Sequence, residues 1–311
     1  MKIQFWGTRG SLPTPLTNQD LQNKIAAIIQ LIQADDIINQ DAKQRFISRL
    51  PEQLVSSIGG NSACISIANG DTHIIFDAGT GIQQLGRTLI KNSVSKTLHI
   101  FFSHFHWDHI QGLPFFAPAF NKDFNITFYS PVPEFESYIR DQMRYPYFPI
   151  TMDNMLAQLN FVVLSHGYIA LPNMLIYARS MNHPGGCYSY RIQTENKVVI
   201  YSTDTELSQA DFEKTKDNIQ YFNNADMLII DAQYTLGEAL EKQYWGHTSY
   251  SLAIDFATTW NIKKLVLFHH EPTYSDKQIY KNYNSAKWYK DHIGNTQLEL
   301  FLAKDGLVFE L

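Results

Sequence analysis

The chain has 311 residues, of which 44% are hydrophobic and 18% charged, and its formal net charge is −5. This composition allows a large buried core and argues against an extended nucleic-acid surface, although a local basic patch would escape the count. No secretory leader is apparent at residues 1–10 and no apolar stretch approaches the about 20 residues that span a membrane, so we expect a cytoplasmic protein. Cys64 and Cys187 are expected to be buried thiols.

The amino-terminal part of the chain alternates between strand and helix patterns. Residues 17–50 carry apolar side chains at helical spacing, whereas the segments on both sides alternate like strands. We therefore predict a helical insertion at about 17–58. Periodicity alone leaves open whether it is a structural element, a lid or a dimer contact. The predicted elements up to residue 143 are strands at 2–7, 62–70, 72–81, 97–102 and 125–131, and helices at 82–90 and 134–143.

Strand patterns dominate the second half of the chain. We find no internal repeat, low-complexity run or linker, so the pattern favours two sheets with helices outside them in one domain, 1–311, of the α/β (α+β) class. The predicted elements after residue 143 are strands at 159–164, 173–180, 189–195, 197–204, 225–234 and 263–270, a helix at 249–260, and a closing hairpin at 298–311 around Asp305-Gly306.

The run SHFHWDHIQGLPFF (103–116) contains the most informative residues of the chain. His104, His106, Asp108 and His109 follow the predicted strand 97–102 directly. Side chains at 104 and 106 share one direction along the chain, while the following turn redirects 108 and 109. One short segment can therefore supply two metal positions, and its imidazole and carboxylate groups suit zinc or a similar first-row divalent ion.

Further ligands for two metals are expected at the ends of later strands. His183 follows strand 173–180 and precedes two glycines, and Asp204 ends strand 197–204, where a carboxylate can bridge two cations. His269 and His270 both end strand 263–270. Each of these residues has an ordinary structural explanation taken singly, but together with 104–109 they form a set typical of a metal centre.

At these residues the chain resembles the metallo-β-lactamase superfamily over nearly its full length. The His-x-His-x-Asp-His motif at 104–109 and the later residues His183, Asp204 and His269 carry the resemblance, together with FWGTRGS (5–11), GGNSAC (59–64) and FDAGTG (76–81). Within the superfamily, the chain is most similar to the phosphodiesterase branch, which includes ribonuclease Z and the cyclic phosphodiesterases of phosphonate breakdown. That narrower likeness rests on IDAQY (230–234), GHTS (246–249) and LFHHEP (267–272).

The resemblance implies a four-layer αββα sandwich with two divalent metal ions at one edge between the sheets. Zinc is the expected ion, with Mn²⁺ as the alternative. His269 is preferred to His270 because it stands first in the pair, as the strand-end histidine of the family does. The implied ligands are His104, His106 and His183 for one ion, Asp108, His109 and His269 for the other, and Asp204 as the bridge.

The predicted activity is hydrolysis of a small or cyclic phosphodiester, such as a cyclic nucleotide. Two cations that share a water lower its pKa and supply hydroxide at neutral pH. His247 would protonate the departing alkoxide and Asp231 would orient its ring, so Asp108, Asp231 and His247 are the predicted catalytic residues. His247 could instead be a structural neighbour of a helix cap at Thr248 or Ser249. Ribonuclease Z has Glu where this chain has Asp231, which shortens the reach.

Three alternatives remain beside this prediction: a tRNA 3′-processing nuclease, a lactone, thioester or β-lactam hydrolase, and a binding protein without enzymatic activity. The chain lacks a long basic Gly/Pro-rich arm, so nucleic acid is possible but not favoured as a partner. No membrane partner is expected, and a homodimer is possible. Turn chemistry or substrate contact could explain Arg9, Asn61, Thr80 and Gln111, and packing or base stacking could explain Tyr145, Tyr147 and Phe148.

Overall fold

The strand patterns form two seven-stranded sheets in the computed structural model, which describes residues 1–92 and 95–311. The first sheet, in the order β14-β1-β2-β3-β4-β5-β6, contains β1 (Lys2–Gly7), β2 (Cys64–Asn69), β3 (Thr72–Phe76), β4 (Thr97–Phe101), β5 (Asn125–Ser130), β6 (Gln158–Val163) and β14 (Val308–Glu310). The second sheet, in the order β13-β12-β11-β10-β9-β8-β7, contains β7 (Tyr168–Leu171), β8 (Met174–Met181), β9 (Cys187–Gln193), β10 (Val198–Ser202), β11 (Met227–Asp231), β12 (Lys264–Phe268) and β13 (Glu299–Leu302).

Helices connect many of these strands. The α-helices of the described residues are α1 (Asn18–Leu31), α2 (Gln40–Arg49), α3 (Glu52–Val55), α4 (Gly81–Asn92), α5 (Trp107–Ile110), α6 (Phe135–Asp141), α7 (Gln209–Phe212), α8 (Lys216–Phe222), α9 (Leu236–Glu241), α10 (Tyr250–Thr259) and α11 (Asp276–His292). Short 3₁₀ turns lie at Ala34–Asp36, Leu113–Phe115, Ala117–Phe120 and Met152–Asn154. None of the described helices is long and apolar enough to cross a membrane.

Three apolar layers separate four layers of secondary structure. Between the sheets, Phe76 of β3 packs against Tyr201 of β10 with ring centroids 5.3 Å apart. Alternate side chains point outward, so the first sheet buries its other face against α4 and the second sheet buries its other face against α10, where Phe256 is fully buried. The predicted αββα sandwich is therefore confirmed. Cys64 and Cys187 are buried free thiols, as expected.

The carboxyl ends of parallel strands create the edge on which the predicted site lies. β4 runs parallel to β3, and β10, β11 and β12 run parallel to one another. Parallel strands end on the same edge of a sheet, so the segments that follow them become neighbours. The residues directly after these strands include Asp77, the run 104–109, Asp204 and His269, and Asp231 ends β11.

The segment between β1 and β2 is helical, with α1, α2 and α3 inside the predicted range 17–58. α1 has no buried residue, and Ile25 and Ile29 on it are exposed. Lys24 attaches this helix to the rest of the fold, because its ammonium group donates to Asp276 Oδ2 at 2.8 Å and to the Ser56 carbonyl at 2.6 Å. A lid or dimer role for this segment, and the single-domain assignment, stay predictions.

The predicted hairpin at 298–311 is wrong. β13 pairs in parallel with β12 of the second sheet, whereas β14 pairs antiparallel with β1 of the first sheet. The turn at Asp305-Gly306 therefore carries the chain from one sheet to the other. Strand β7 and helices α7, α8, α9 and α11 were not predicted; α11 buries only a narrow stripe of side chains, which leaves a weak periodic signal in its sequence.

Candidate dinuclear metal centre

The loop after β4 divides its four candidate ligands between two groups. His104 and His106 join His183 and Asp204, with one potential ligand atom from each residue lying within 4.8 Å of the others. Helix α5 follows, and its residues Asp108 and His109 join His269 in a second group. One short segment therefore supplies residues to both groups, as the spacing predicts.

The first group contains three imidazoles and one carboxylate. His183 Nε2 lies 3.1 Å from His106 Nδ1, and Asp204 Oδ2 lies 3.6 Å from His104 Nε2 and 3.8 Å from His183 Nε2. His183 Nδ1 donates a proton to the Gly246 carbonyl at 2.9 Å, which leaves its Nε2 lone pair free. His104 Nε2 is buried without a hydrogen-bond partner, as expected of an atom that faces a cation position.

The second group contains Asp108, His109 and His269. Asp108 Oδ2 lies 3.2 Å from His109 Nε2 and 3.2 Å from His269 Nε2, and these two ring nitrogens are 3.3 Å apart. Asp204 Oδ1 completes this group at 3.1 Å from His109 Nε2 and 3.2 Å from His269 Nε2. The two oxygens of Asp204 therefore face different groups, and this carboxylate would be shared by cations bound to both.

The electrostatics of these buried residues favour positive charge between them. Burial raises the pKa of Asp204, but the imidazoles of His269, His109 and His104 outweigh burial and hold that pKa well below its ordinary value. Burial likewise lowers the pKa of His109, yet the carboxylates of Asp108, Asp204 and Asp77 raise it well above 6.5. Buried carboxylates that draw protons onto imidazoles would be compensated equally well by cations. The donor set therefore fits two divalent ions.

Asp77 holds the second group in place and was not among the predicted site residues. One of its oxygens, Oδ2, accepts hydrogen bonds from His109 Nδ1 at 2.8 Å, from Ser103 Oγ at 2.8 Å and from the Tyr201 hydroxyl at 2.7 Å. Its other oxygen accepts from the Ser103 amide at 2.7 Å. The sequence signal was available, because Asp77 follows strand β3 just as Asp204 follows β10.

Gln233 and Glu271 orient His269 and were also missed. His269 Nδ1 donates to Gln233 Oε1 at 3.0 Å, and Gln233 Nε2 donates to Glu271 Oε2 at 2.8 Å. The neighbouring His270 points away from the centre and donates from Nε2 to the Ala303 carbonyl at 2.8 Å. Burial lowers the pKa of His270 to about 3, so this ring is neutral. The structure places His269, rather than His270, among the candidate ligands.

His247 and Asp231 form a hydrogen-bonded pair beside the candidate metal ligands. His247 Nδ1 donates to Asp231 Oδ2 at 2.6 Å, so the shorter side chain of Asp reaches the ring. Burial lowers the pKa of His247, but Asp231 outweighs burial and raises that pKa to about 9. The His247 ring stacks on His269 with centroids 5.2 Å apart. The helix cap belongs to Ser249, whose side chain accepts from the Leu252 amide.

Gly246 connects the His247 loop to the first group of ligands. Its φ is +85°, and a Cβ atom there would lie 2.2 Å from His183 Nδ1. The carboxylate of Glu206 accepts hydrogen bonds from the amides of Tyr244 and Gly246, each at 3.0 Å. This glycine therefore permits a close approach that any side chain would prevent.

Four polar residues near the centre serve the surrounding turns. The Arg9 guanidinium is buried and bonds the Gly59 and Tyr274 carbonyls and Asp276. The other three, Asn61, Thr80 and Gln111, are hydrogen-bonded to one another, to Ser62 or to Asp305.

Of the three aromatic residues with open alternatives, Phe148 packs on Phe115 with ring centroids 5.6 Å apart, whereas Tyr145 and Tyr147 are exposed. Packing therefore accounts for Phe148 but not for the two tyrosines.

Known proteins share this fold and sequence pattern. Residues 72–270 match the family model described as the beta-lactamase superfamily domain. A ribonuclease Z of Prochlorococcus marinus is 26% identical over 310 residues, which cover 81% of this chain and 94% of that protein. The human tRNase Z, short form (ELAC1), superposes with a TM-score of 0.62 at 16% identity and covers 100% of this chain and 99% of that one. A diphosphatase from the PhnP family has a TM-score of 0.62 at 14% identity and covers 100% and 97%, respectively.

At such identities the two solved structures bear on the fold alone. The family match, however, spans more than half of the chain and contains all seven candidate ligands, from His104 to His269. This chain belongs to the β-lactamase superfamily.

Proposed function

We propose that this chain is a metal-dependent phosphodiesterase that cleaves a small or cyclic phosphodiester, such as a cyclic nucleotide, at a pair of divalent cations. The observation that supports it best is the position of Asp204, whose two oxygens face His104 and His183 on one side and His109 and His269 on the other. Imidazole and carboxylate ligands favour zinc, with Mn²⁺ as the alternative.

Two groups of residues would hold the cations. One would be held by His104, His106 and His183, the other by Asp108, His109 and His269, with Asp204 shared. Cations bound there would lower the pKa of a shared water and neutralise charge that develops on the phosphoryl oxygens. Asp77, Gln233 and Gly246 keep the ring nitrogens in the tautomers that ligation needs.

His247 supplies the proton that the departing alkoxide needs. His247 Nδ1 donates a hydrogen bond to Asp231 Oδ2, and the two atoms are 2.6 Å apart. Nε2 is therefore the atom that gives up a proton. The buried carboxylate also orients the ring and stabilises its charged form. A dedicated proton donor matters most for a poor leaving group such as an alkoxide, and this favours a phosphodiester over a thioester, whose thiolate leaves without protonation.

The named relatives support hydrolysis of a bond to phosphorus. Ribonuclease Z and tRNase Z are, by name, enzymes that act on RNA, and a third similar protein is a diphosphatase. A tRNA 3′-processing nuclease is therefore the second candidate function. The net charge of −5 and the lack of a basic Gly/Pro-rich arm in the sequence favour a small substrate over tRNA.

The test is a substrate screen of the purified protein loaded with Zn²⁺ or Mn²⁺. The panel contains bis-p-nitrophenyl phosphate, 2′,3′- and 3′,5′-cyclic nucleotides, a precursor tRNA with a 3′ trailer, a lactone and a thioester. We expect hydrolysis of the first two classes. Cleavage of the precursor tRNA alone would favour the second candidate. Lactonase or thioesterase activity without turnover of any phosphodiester would overturn the proposal.

A further inference from the structure

An open groove of about 630 Å³ lies on the surface. Four aromatic residues and a glutamine are among its lining residues, and we call it the aromatic groove: Phe105, Trp107, Tyr138, Gln142 and Tyr147. None of the metal ligands lines it, and the hydrolytic mechanism proposed above does not use its residues. Its lining is thus unexplained by the metal centre itself.

The groove adjoins the metal ligands because the two share one segment of chain. Phe105 stands between His104 and His106, and Trp107 stands between His106 and Asp108. Neighbouring Cα atoms are about 3.8 Å apart, so the groove wall begins one residue from the candidate ligands. The candidate ligands and the groove wall therefore belong to one loop.

The aromatic rings of the groove present open faces to solvent. Trp107 is 80% exposed, Tyr147 is 70% exposed and Tyr138 is 44% exposed. The wall behind them is packed, since Phe105 contacts Tyr138 edge to face with centroids 5.5 Å apart. Exposed aromatic faces on a packed support are the arrangement with which proteins stack single nucleobases.

Gln142 adds a polar feature to this lining. Its Nε2 atom is buried, yet it has no hydrogen-bond partner. The Arg144 guanidinium, which also lines the groove, lies 5.6 Å from the centre of the Tyr147 ring and provides positive charge. Nucleobases combine a flat aromatic surface with ring nitrogen and carbonyl acceptors, so they complement both features.

We propose that the aromatic groove is a base-binding subsite of the substrate. The nucleobase of a nucleotide phosphodiester stacks on Trp107 and Tyr147. This inference rests on the proposed phosphodiesterase activity and narrows the substrate class from phosphodiesters in general to nucleotides.

Two esters measure the contribution of the base: thymidine 5′-(p-nitrophenyl phosphate) and methyl p-nitrophenyl phosphate. They have the same leaving group, and only the first carries a nucleobase. The measured quantity is the ratio of kcat/KM for the thymidine ester to that for the methyl ester. We expect the ratio to fall about 5- to 100-fold in Tyr147→Ala and in Trp107→Ala, the loss that follows removal of a stacked ring.

Matched controls come from exposed aromatic residues elsewhere. Trp288→Ala on α11 and Tyr168→Ala on β7 remove exposed rings outside the groove, and we expect them to change the ratio less than twofold. An unchanged ratio in both Tyr147→Ala and Trp107→Ala would overturn the subsite, as would a wild-type protein that does not prefer the thymidine ester.

Binding without catalysis distinguishes failure of the subsite from failure of the proposed activity. Adenosine 5′-monophosphate and ribose 5-phosphate carry the same phosphate and differ in the base. We expect calorimetry on the wild-type protein to show at least about tenfold tighter binding of the adenosine compound, and Tyr147→Ala to lose most of that difference. This result would support the subsite even if no phosphodiester were hydrolysed. Equal affinities for the two probes would overturn the subsite even if the phosphodiesterase activity were present.

Discussion

The two halves of the metal centre differ in what holds their ligands. In the half formed by Asp108, His109 and His269, buried side chains fix both imidazoles: Asp77 accepts from His109 and Gln233 accepts from His269. Both contacts lie inside the protein, and Asp77 is itself held by three further hydrogen bonds. This half therefore keeps its geometry through the protein's own contacts.

The half formed by His104, His106 and His183 depends less on side chains. A backbone carbonyl, that of Gly246, orients His183, and the Ser103 hydroxyl lies 3.1 Å from His104 Nδ1. His106 is exposed, and His104 Nε2 has no partner. Contacts of the fold therefore preorganise one half, whereas the geometry of the other half would depend more on a bound ion.

The largest expected effect comes from Asp204, the residue that the two halves share. Asp204→Ala should lower kcat/KM for bis-p-nitrophenyl phosphate by at least about 10³-fold, because both cation positions lose a ligand. Metal analysis after dialysis should find fewer than two equivalents per chain. Asp71→Ala, in the exposed turn between β2 and β3, is the control. Two retained equivalents in Asp204→Ala would contradict the bridging assignment.

His247 contacts rings of both halves, at 5.2 Å from His269 and 5.3 Å from His183 between centroids, but is not among the proposed ligands. His247→Ala should therefore retain two equivalents of metal. Its rate should fall by about 10²- to 10⁴-fold for a cyclic nucleotide and much less for bis-p-nitrophenyl phosphate, whose leaving group needs no acid. Kinetics on the two substrates measure the difference, and equal losses would remove the role of His247 as proton donor.

Asp77 tests the claim that the fold preorganises one half. Asp77→Asn keeps the size of the side chain but removes the charge that faces His109 Nδ1. We expect one of the two metal equivalents to bind about 10- to 100-fold more weakly in a chelator competition assay, while the other changes little. Asp226→Asn is a matched control, because Asp226 pairs with Lys263 away from the centre. Equal weakening of both equivalents would show that the halves are not held independently.

The smallest expected effect on the metal centre distinguishes the two adjacent histidines. His270→Ala should leave two equivalents of metal bound but lower the free energy of unfolding by about 2–3 kcal/mol, since it leaves a cavity and an unpaired Ala303 carbonyl. His269→Ala should instead lose metal from the half that contains Asp108. Urea denaturation and metal analysis of both variants measure these changes. Metal loss in His270→Ala with retention in His269→Ala would exchange their roles.

Local sequence patterns predicted much of the fold. The errors of that prediction lie where local patterns carry no information. The alternating runs predicted all but one of the strands. The order of strands and helices predicted that helices such as α4 and α10 lie outside the sheets. The closing segment shows the limit: its two strands and turn look like a hairpin, yet β13 and β14 are edge strands of different sheets. Strand partners are chosen by the packing of the whole sandwich, which a turn signal does not encode.

The candidate site likewise has features that the local sequence determined and features that it did not. The motif His-x-His-x-Asp-His after a strand determines by itself that imidazole and carboxylate groups lie close together at that strand's end. Their spacing along the chain is fixed covalently. Only the tertiary structure decided that Asp204 faces both groups, that His270 turns away and that Asp77, Gln233 and Glu271 orient the ligands. Those relations join residues far apart in the chain, and their distances are set by how two sheets pack rather than by any segment of sequence.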